Sequence, residues 1–216
     1  MKYQAVIFDL DGTLVDTLED IAASVNQALA ELSLPPHPLE SFRWKVGNGN
    51  RLLVARSLGA EQKHLVETVL EKHRAYYAEH FCVHSKPYPG IRELLRELKE
   101  GHFKLAVLSN KPDEFTRKLV NHVFNGDFFD RVRGELSGIP LKPDPTSALA
   151  LAAQMKVAPQ QVAYLGDTGV DMQTARNANM YAIGAKWGFR GPEELQQNGC
   201  QALIEHPREL PGILAT

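Results

Sequence analysis

The 216-residue sequence predicts an α/β protein, a doubly wound parallel sheet core with an inserted α-helical cap domain. Three observations predict it. Short apolar, β-branched runs at residues 3–8, 103–108, 162–165 and 180–184 read as strands buried on both faces. From Gly90 onward these runs alternate with helical periods, the signature of βα units. Residues 17–84 are helical throughout, with no convincing strand. The expected division is therefore an α/β core of residues 1–16 and 85–216, and a helical cap of residues 17–84.

Each element has its own signal. Tyr3 to Phe8 is the first strand, and it stops at Asp9-Leu10-Asp11-Gly12-Thr13. Period-two alternation sets Asp9 and Asp11 on one side and turns Leu10 into the core. Leu18, Ile21, Ala22, Val25, Leu29 and Leu32 then recur at helical spacing until Pro35-Pro36. A short helix is expected over 38–43, another over 51–58 closed by Gly59, and one or two more over 61–80. The Gly/Asn loop Val46-Gly47-Asn48-Gly49-Asn50 lies between them. Lys86-Pro87-Tyr88-Pro89-Gly90 has the turn residues of a hinge. Beyond it come a helix over 91–100 and a strand over 103–108 ending in Ser109-Asn110-Lys111. A helix over 112–123, a strand over 131–135, the loop around Lys142-Pro143 and a helix over 146–155 follow. The strand 162–165 runs into Gly166-Asp167-Thr168-Gly169-Val170-Asp171, then a helix over 172–178 and a strand over 180–184. The tail, 201–214, offers one weak strand and a terminal helical turn.

Composition excludes several classes. The net charge of −2 gives no electrostatic case for nucleic acid or an anionic membrane surface. No apolar run approaches the ~18–20 residues that cross a bilayer. The N-terminus lacks the basic region and cleavage site of a signal peptide. Cys82 and Cys200 stand far apart, so a reducing cytoplasm is expected, with the chain a monomer or homodimer. His80-Phe81-Cys82-Val83-His84 crowds three ligand types into five residues without a fourth, and reads as a surface connector.

The chemistry gathers at strand ends. In a parallel sheet the carboxyl ends share one edge, so Asp9/Asp11, Ser109/Asn110, Lys142 and Asp167/Asp171 are expected to converge. Taken singly, each has a plain reading: a turn, a helix N-cap, a solvated lysine. Asp-x-Asp-Gly-Thr alone should occur by chance in only about a few per thousand chains of this size, on average residue usage. Three or four acidic oxygens around one point suit a hard cation, most simply Mg²⁺, and such an ion also binds phosphate. The lysine, the serine hydroxyl and backbone N–H groups of the Gly12-Thr13 turn would complete a phosphate cradle.

This ordered set resembles the haloacid dehalogenase superfamily of phosphohydrolases, whose fold is Rossmann-like. The resemblance covers the whole chain through Asp9-Leu10-Asp11-Gly12-Thr13, Ser109-Asn110, Lys142-Pro143 and Gly166-Asp167-Thr168 with Asp171. It implies that Asp9 attacks phosphorus to form an aspartyl-phosphate. It implies that Asp11 serves as general acid and then base, with Ser109 and Lys142 completing the catalytic set. Asp9, Asp11 through its backbone carbonyl, Asp167 and, directly or through water, Asp171 would hold Mg²⁺. A carboxylate at position 11 favours a phosphorus–oxygen ester or anhydride over a carbon–halogen or carbon–phosphorus bond. The early helical insertion resembles the small helical cap of one subgroup.

Substrate choice falls to Gly12, Thr13 and Asn110 in the core and to Gly47, Asn48, Gly49, Asn50 and Arg51 in the cap. Arg51 is the candidate for a second anion on a small phosphorylated metabolite. Val46 to Gly49, Pro87 to Gly90 and Trp187-Gly188-Phe189-Arg190 are similar to motifs of phosphoglycolate phosphatases. Relatives acting on pyrophosphate, nucleotides or sugar phosphates share much of the pattern. Trp187 and Phe189 also read as core residues. From another class, a signalling receiver domain also carries a phospho-accepting Asp, but without the carboxylate two residues on.

Overall fold

The structure, a computed structural model, describes residues 2–125 and 128–215. Its strands are β1 (Ala5–Phe8), β2 (Val15–Asp16), β3 (Lys86–Pro87), β4 (Lys104–Pro112), β5 (Arg131–Glu135), β6 (Val162–Gly166), β7 (Tyr181–Ala185) and β8 (Ala202–Ile204). Six of them form one parallel sheet in the order β5-β4-β1-β6-β7-β8. The first strand therefore sits in the middle, between β4 and β6. Order reverses on either side of it, where an open α/β sheet forms its crevice.

The helices are α1 (Leu18–Ala30), α2 (Asn50–Arg56), α3 (Val66–His80), α4 (Ile91–Glu100), α5 (Asp113–Phe124), α6 (Thr146–Met155), α7 (Gly169–Asn177), α8 (Pro192–Gln197) and α9 (Leu210–Leu214). Alternation along each strand divides the core. Val6, Phe8, Leu105, Val107 and Leu165 pack with α4, α5 and α9 on one face. Ala5, Ile7, Ala106, Leu108 and Tyr164 pack with α6, α7 and α8 on the other. Two covered faces explain why these strands read as continuous apolar runs.

Helices α1 to α3 form a third apolar cluster, in which Ile21, Val25, Val54, Val69 and Tyr77 meet Phe115 of α5 and Phe189. The chain enters and leaves this helical block through the antiparallel pair β2 and β3, an element the hinge reading of 86–90 does not contain. The remaining differences are local. The segment 39–44 and the turn 60–65 are 3₁₀ rather than α. Helix α2 ends at Arg56 with Ser57 as its cap, so Gly59 opens the following turn instead of closing the helix. Helix α7 starts at Gly169 rather than 172, because Thr168 and Asp171 form a capping box that satisfies its first amides. Helix α8 was not expected; Pro192 stands in its first turn, a position that favours initiation.

Candidate active site

β1 delivers Asp9 and Asp11 to the crevice. Asp9 continues the ladder through its N–H to Leu165 O at 2.9 Å, and Leu10 is buried as alternation requires. The carbonyl of Leu10 then gathers the N–H groups of Thr13, Leu14 and Val15, while Gly12 N–H donates to Val15 O. The amides of Gly12 and Thr13 are thus engaged within the turn.

β4 delivers its group through an irregularity. Leu108 faces Arg133 and Pro112 faces Glu135, so four steps along β4 match two along β5. The extra residues bulge, and bulges re-aim side chains. Ser109, Asn110 and Lys111 all line the crevice beside Asp9, Asp11 and Lys142.

Lys142 is the hub. Its ammonium donates to Asp171 Oδ1 at 2.6 Å, lies 2.9 Å from Asp9 Oδ1 and reaches Leu108 O at 3.3 Å. Burial alone would lower its pKa, yet the charges of Asp171 and Asp9 hold it well above the ordinary lysine value. Asn110 fixes the Lys142 backbone by accepting its N–H at 2.9 Å and donating to its carbonyl at 3.1 Å. It also donates to Gly47 O of the helical block at 3.1 Å, so this amide ties loops together.

Asp9, Asp167 and Asp171 each present an oxygen within 4.8 Å of the others, the one such His/Cys/Asp/Glu group among the described residues. Burial and the Asp171 charge push Asp9 well above the carboxylate range, with Lys142 opposing. The same two causes push Asp167 up to about 7 despite hydrogen bonds from Phe189 N–H (2.7 Å) and Thr13 Oγ1 (2.9 Å). Thr13 therefore holds Asp167 and does not line the crevice. Fully ionised, Asp9, Asp11, Asp167 and Asp171 face two ammoniums, Lys111 and Lys142, which leaves two negative charges shielded from water. A divalent cation held by oxygens fits that excess and that donor set.

Asp11 is the expected metal residue whose carboxylate lies outside this group. It accepts from Lys111 Nζ at 2.8 and 2.9 Å and from Thr17 Oγ1 at 2.7 Å. Asp171 accepts from Thr168 Oγ1 at 2.6 Å and Thr168 N–H at 3.1 Å as well as Lys142, so most of its acceptor sites are engaged within the protein.

The helical block closes the crevice with Ile21, Val46, Gly47, Gly49, Asn50 and Leu53. Two of its expected contacts are corrected. Arg51 lies at the surface, its side chain 68% exposed and paired with Glu67 at 2.5 Å. Asn48 accepts from Arg56 at an exposed position. Both follow Gly47 on a helix-initiating turn, and only one side of that turn can face inward. The His80-Cys82-His84 segment does not converge: His80 stacks on Tyr76, and His84 faces Glu19.

Five residues contribute in ways the sequence does not signal: Lys111, Arg43 and, within the Trp187 to Arg190 motif, Gly188, Phe189 and Arg190. Lys111 follows Ser109-Asn110 directly, but the lysine expected there was already supplied by Lys142. Gly188 and Phe189 brace Asp167, the latter through a backbone N–H that carries no residue-type signal. Arg190 donates to Val46 O at 2.9 Å and Arg43 to Gly188 O at 3.2 Å, joining the helical block to the loop after β7. Phe189 is buried core as well, and Trp187 packs on the core while donating to Thr13 O at 2.9 Å.

Comparison with known proteins agrees with this arrangement. Residues 6–185 match the family model described as haloacid dehalogenase-like hydrolase. A phosphoglycolate phosphatase of Haemophilus influenzae is 35% identical over 221 residues, covering 99% of both chains. One from Pseudomonas putida is 35% identical over 214 residues, 96% of this chain and 78% of that protein. A crystal structure from Lactobacillus delbrueckii subsp. bulgaricus superposes with a TM-score of 0.91 at 33% identity over 99% of each chain. The chain belongs to the haloacid dehalogenase-like hydrolases, and it is a phosphatase.

Proposed function

We propose that the protein is a Mg²⁺-dependent phosphomonoester hydrolase that works through an aspartyl-phosphate and acts on 2-phosphoglycolate. The observation that carries the reaction is the pairing of two differently held carboxylates in one crevice. Asp9 sits against Lys142 beside the acidic group, whereas Asp11 is drawn away to Lys111 and Thr17.

In the first step an Asp9 oxygen attacks phosphorus in line, the bond from phosphorus to the ester oxygen breaks, and Asp11 gives its proton to the departing alkoxide. In the second, water attacks phosphorus, Asp11 takes the proton, and the acyl–phosphate bond breaks to return the Asp9 carboxylate. Lys142 and Ser109 would meet the phosphoryl oxygens, and Lys142 orients Asp9 throughout. Asp9 and Asp167, with Asp171 and the Asp11 backbone carbonyl, would hold Mg²⁺, which when bound supplies positive charge to polarise the phosphoryl group. The helical block would act as a cap, residues 17–84, excluding water from the crevice during transfer.

The relatives' activity supports 2-phosphoglycolate as substrate. Free thiols at Cys82 and Cys200 support a cytoplasmic setting. A pyrophosphatase, nucleotidase or sugar phosphatase keeps the same chemistry with another ester. A receiver domain would keep its aspartyl-phosphate; Asp11 beneath a helical cover argues for hydrolysis. The test is phosphate release from a panel led by 2-phosphoglycolate, with and without Mg²⁺, using Asp9→Asn as the blank. Preference for 2-phosphoglycolate, lost in the blank, is the expected result. Weak, indiscriminate turnover would sink the substrate, and no Mg²⁺-dependent turnover of any ester would sink the reaction.

A further inference from the structure

One buried cation in the crevice has no task in the chemistry above. Lys111 lines the crevice, and its ammonium spans both Asp11 oxygens at 2.8 and 2.9 Å. An ammonium has three N–H donors. Two are used on Asp11, and the nitrogen stands 4.9 Å from the centre of the Tyr77 ring. The buried Tyr77 hydroxyl lies beside it, a neutral acceptor for the third donor.

The other cations are committed. Lys142 sits on Asp9, Asp171 and Leu108 O and belongs to the phosphoryl group in the chemistry above. Arg51 is outside, on Glu67. Arg190 does not line the crevice; it is engaged with Val46 and Glu194, although its buried Nη1 has no hydrogen-bond partner among the described residues. The helical block lines the crevice with Ile21, Val46 and Leu53, two glycines and one polar side chain, Asn50, and contributes no charge. The free space within the crevice is small, about 30 Å³.

We propose that Lys111 is the receptor for a second anionic group on the substrate, a carboxylate one or two carbons from the ester oxygen. The crevice thereby selects small phosphorylated hydroxy acids. The inference rests on the phosphomonoesterase reading and deepens it. A neutral ester leaves the third Lys111 donor without a strong acceptor. An acidic ester fills it with a charge-assisted hydrogen bond and sets the ammonium between two carboxylates. Discrimination between the two kinds of ester by one such bond is about ten- to a hundredfold.

Binding separates this from turnover. 2-Phosphoglycolate and ethyl phosphate are titrated calorimetrically, with Mg²⁺, into Asp9→Asn and into Asp9→Asn/Lys111→Met. The expected result is an acid-over-neutral margin of about ten- to a hundredfold in the first and its loss in the second, with ethyl phosphate affinity nearly unchanged. In the otherwise native chain Lys111→Met should raise KM for 2-phosphoglycolate far more than for ethyl phosphate, and Lys111→Arg should restore most of the margin. Should Lys111→Met fail to fold around an unpaired Asp11, Lys111→Met/Asp11→Asn removes both charges and the same binding margin is read. A margin that survives loss of Lys111, an equal weakening of both esters, or no margin in Asp9→Asn overturns the inference. Lys111-dependent binding without hydrolysis by the native chain would instead overturn the phosphatase reaction alone.

Discussion

The carboxylate of Asp20, in the first turn of α1, accepts from both the N–H (2.8 Å) and the hydroxyl (2.6 Å) of Ser85. It also accepts from His84 N–H at 3.0 Å. Asp20 stands where the chain enters the helical block and Ser85 where it leaves, so one buried side chain clasps the two crossings that β2 and β3 pair. Asp20→Ala strands these donors and should cost about 2–3 kcal/mol in urea unfolding. An unchanged midpoint would mean that the ribbon alone holds the crossing.

Asp167 is held in a vice of glycines. A methyl group at Gly188 would come 2.2 Å from Asp167 Cβ and 2.5 Å from Gly12 O. Gly188→Ala must therefore displace Asp167 or the turn after β1. The Mg²⁺ concentration for half-maximal phosphatase activity should rise by about tenfold or more. Wild-type Mg²⁺ dependence in this variant would remove Asp167 from the metal site.

The raised pKa of Asp167, about 7, sets a pH dependence for that site. Below that value a proton occupies the carboxylate and the cation must displace it; above it the site is open. Apparent Mg²⁺ affinity, read by thermal shift, should thus climb by about tenfold per pH unit up to pH 7 for one displaced proton, then level off. Asp9, also raised, steepens the climb. Affinity independent of pH between 5.5 and 7 would contradict the burial and Asp171 repulsion seen here.

His73 makes the helical block sensitive to acid. Its ring is buried in α3, shares a hydrogen bond with Ser24 Oγ of α1 at 2.8 Å and packs beside Tyr77. Burial, then Lys111 from β4 and Arg74 on its own helix, lower its pKa from 6.5 to about 3. The unfolded chain binds this proton below about pH 6.5, whereas the folded chain does not until about pH 3. Stability is thus complete above 6.5 and declines as pH falls towards 3, by about 2 kcal/mol at pH 5. His73→Asn should flatten the fall between pH 7 and pH 5 by that amount in urea titrations. An equally steep fall in the variant would assign the acid sensitivity elsewhere.

Much of this molecule is determined locally and is therefore legible along the chain. A strand covered on both faces must be apolar at every position, so 3–8, 103–108 and 162–165 declare themselves. Asp9 and Asp11 share a side because a strand has period two, and parallel connections bring Ser109, Lys142, Asp167 and Asp171 to the same edge. What the tertiary structure decided is which polar groups meet once there. Strand order put β1 between β4 and β6, a bulge in β4 turned Lys111 onto Asp11, and a turn in the helical block sent Arg51 out to Glu67. None of these has a sequence period. Each depends on contacts between groups far apart along the chain: Asp11 and Lys111 lie 100 residues apart, and Asp9 and Lys142 further still.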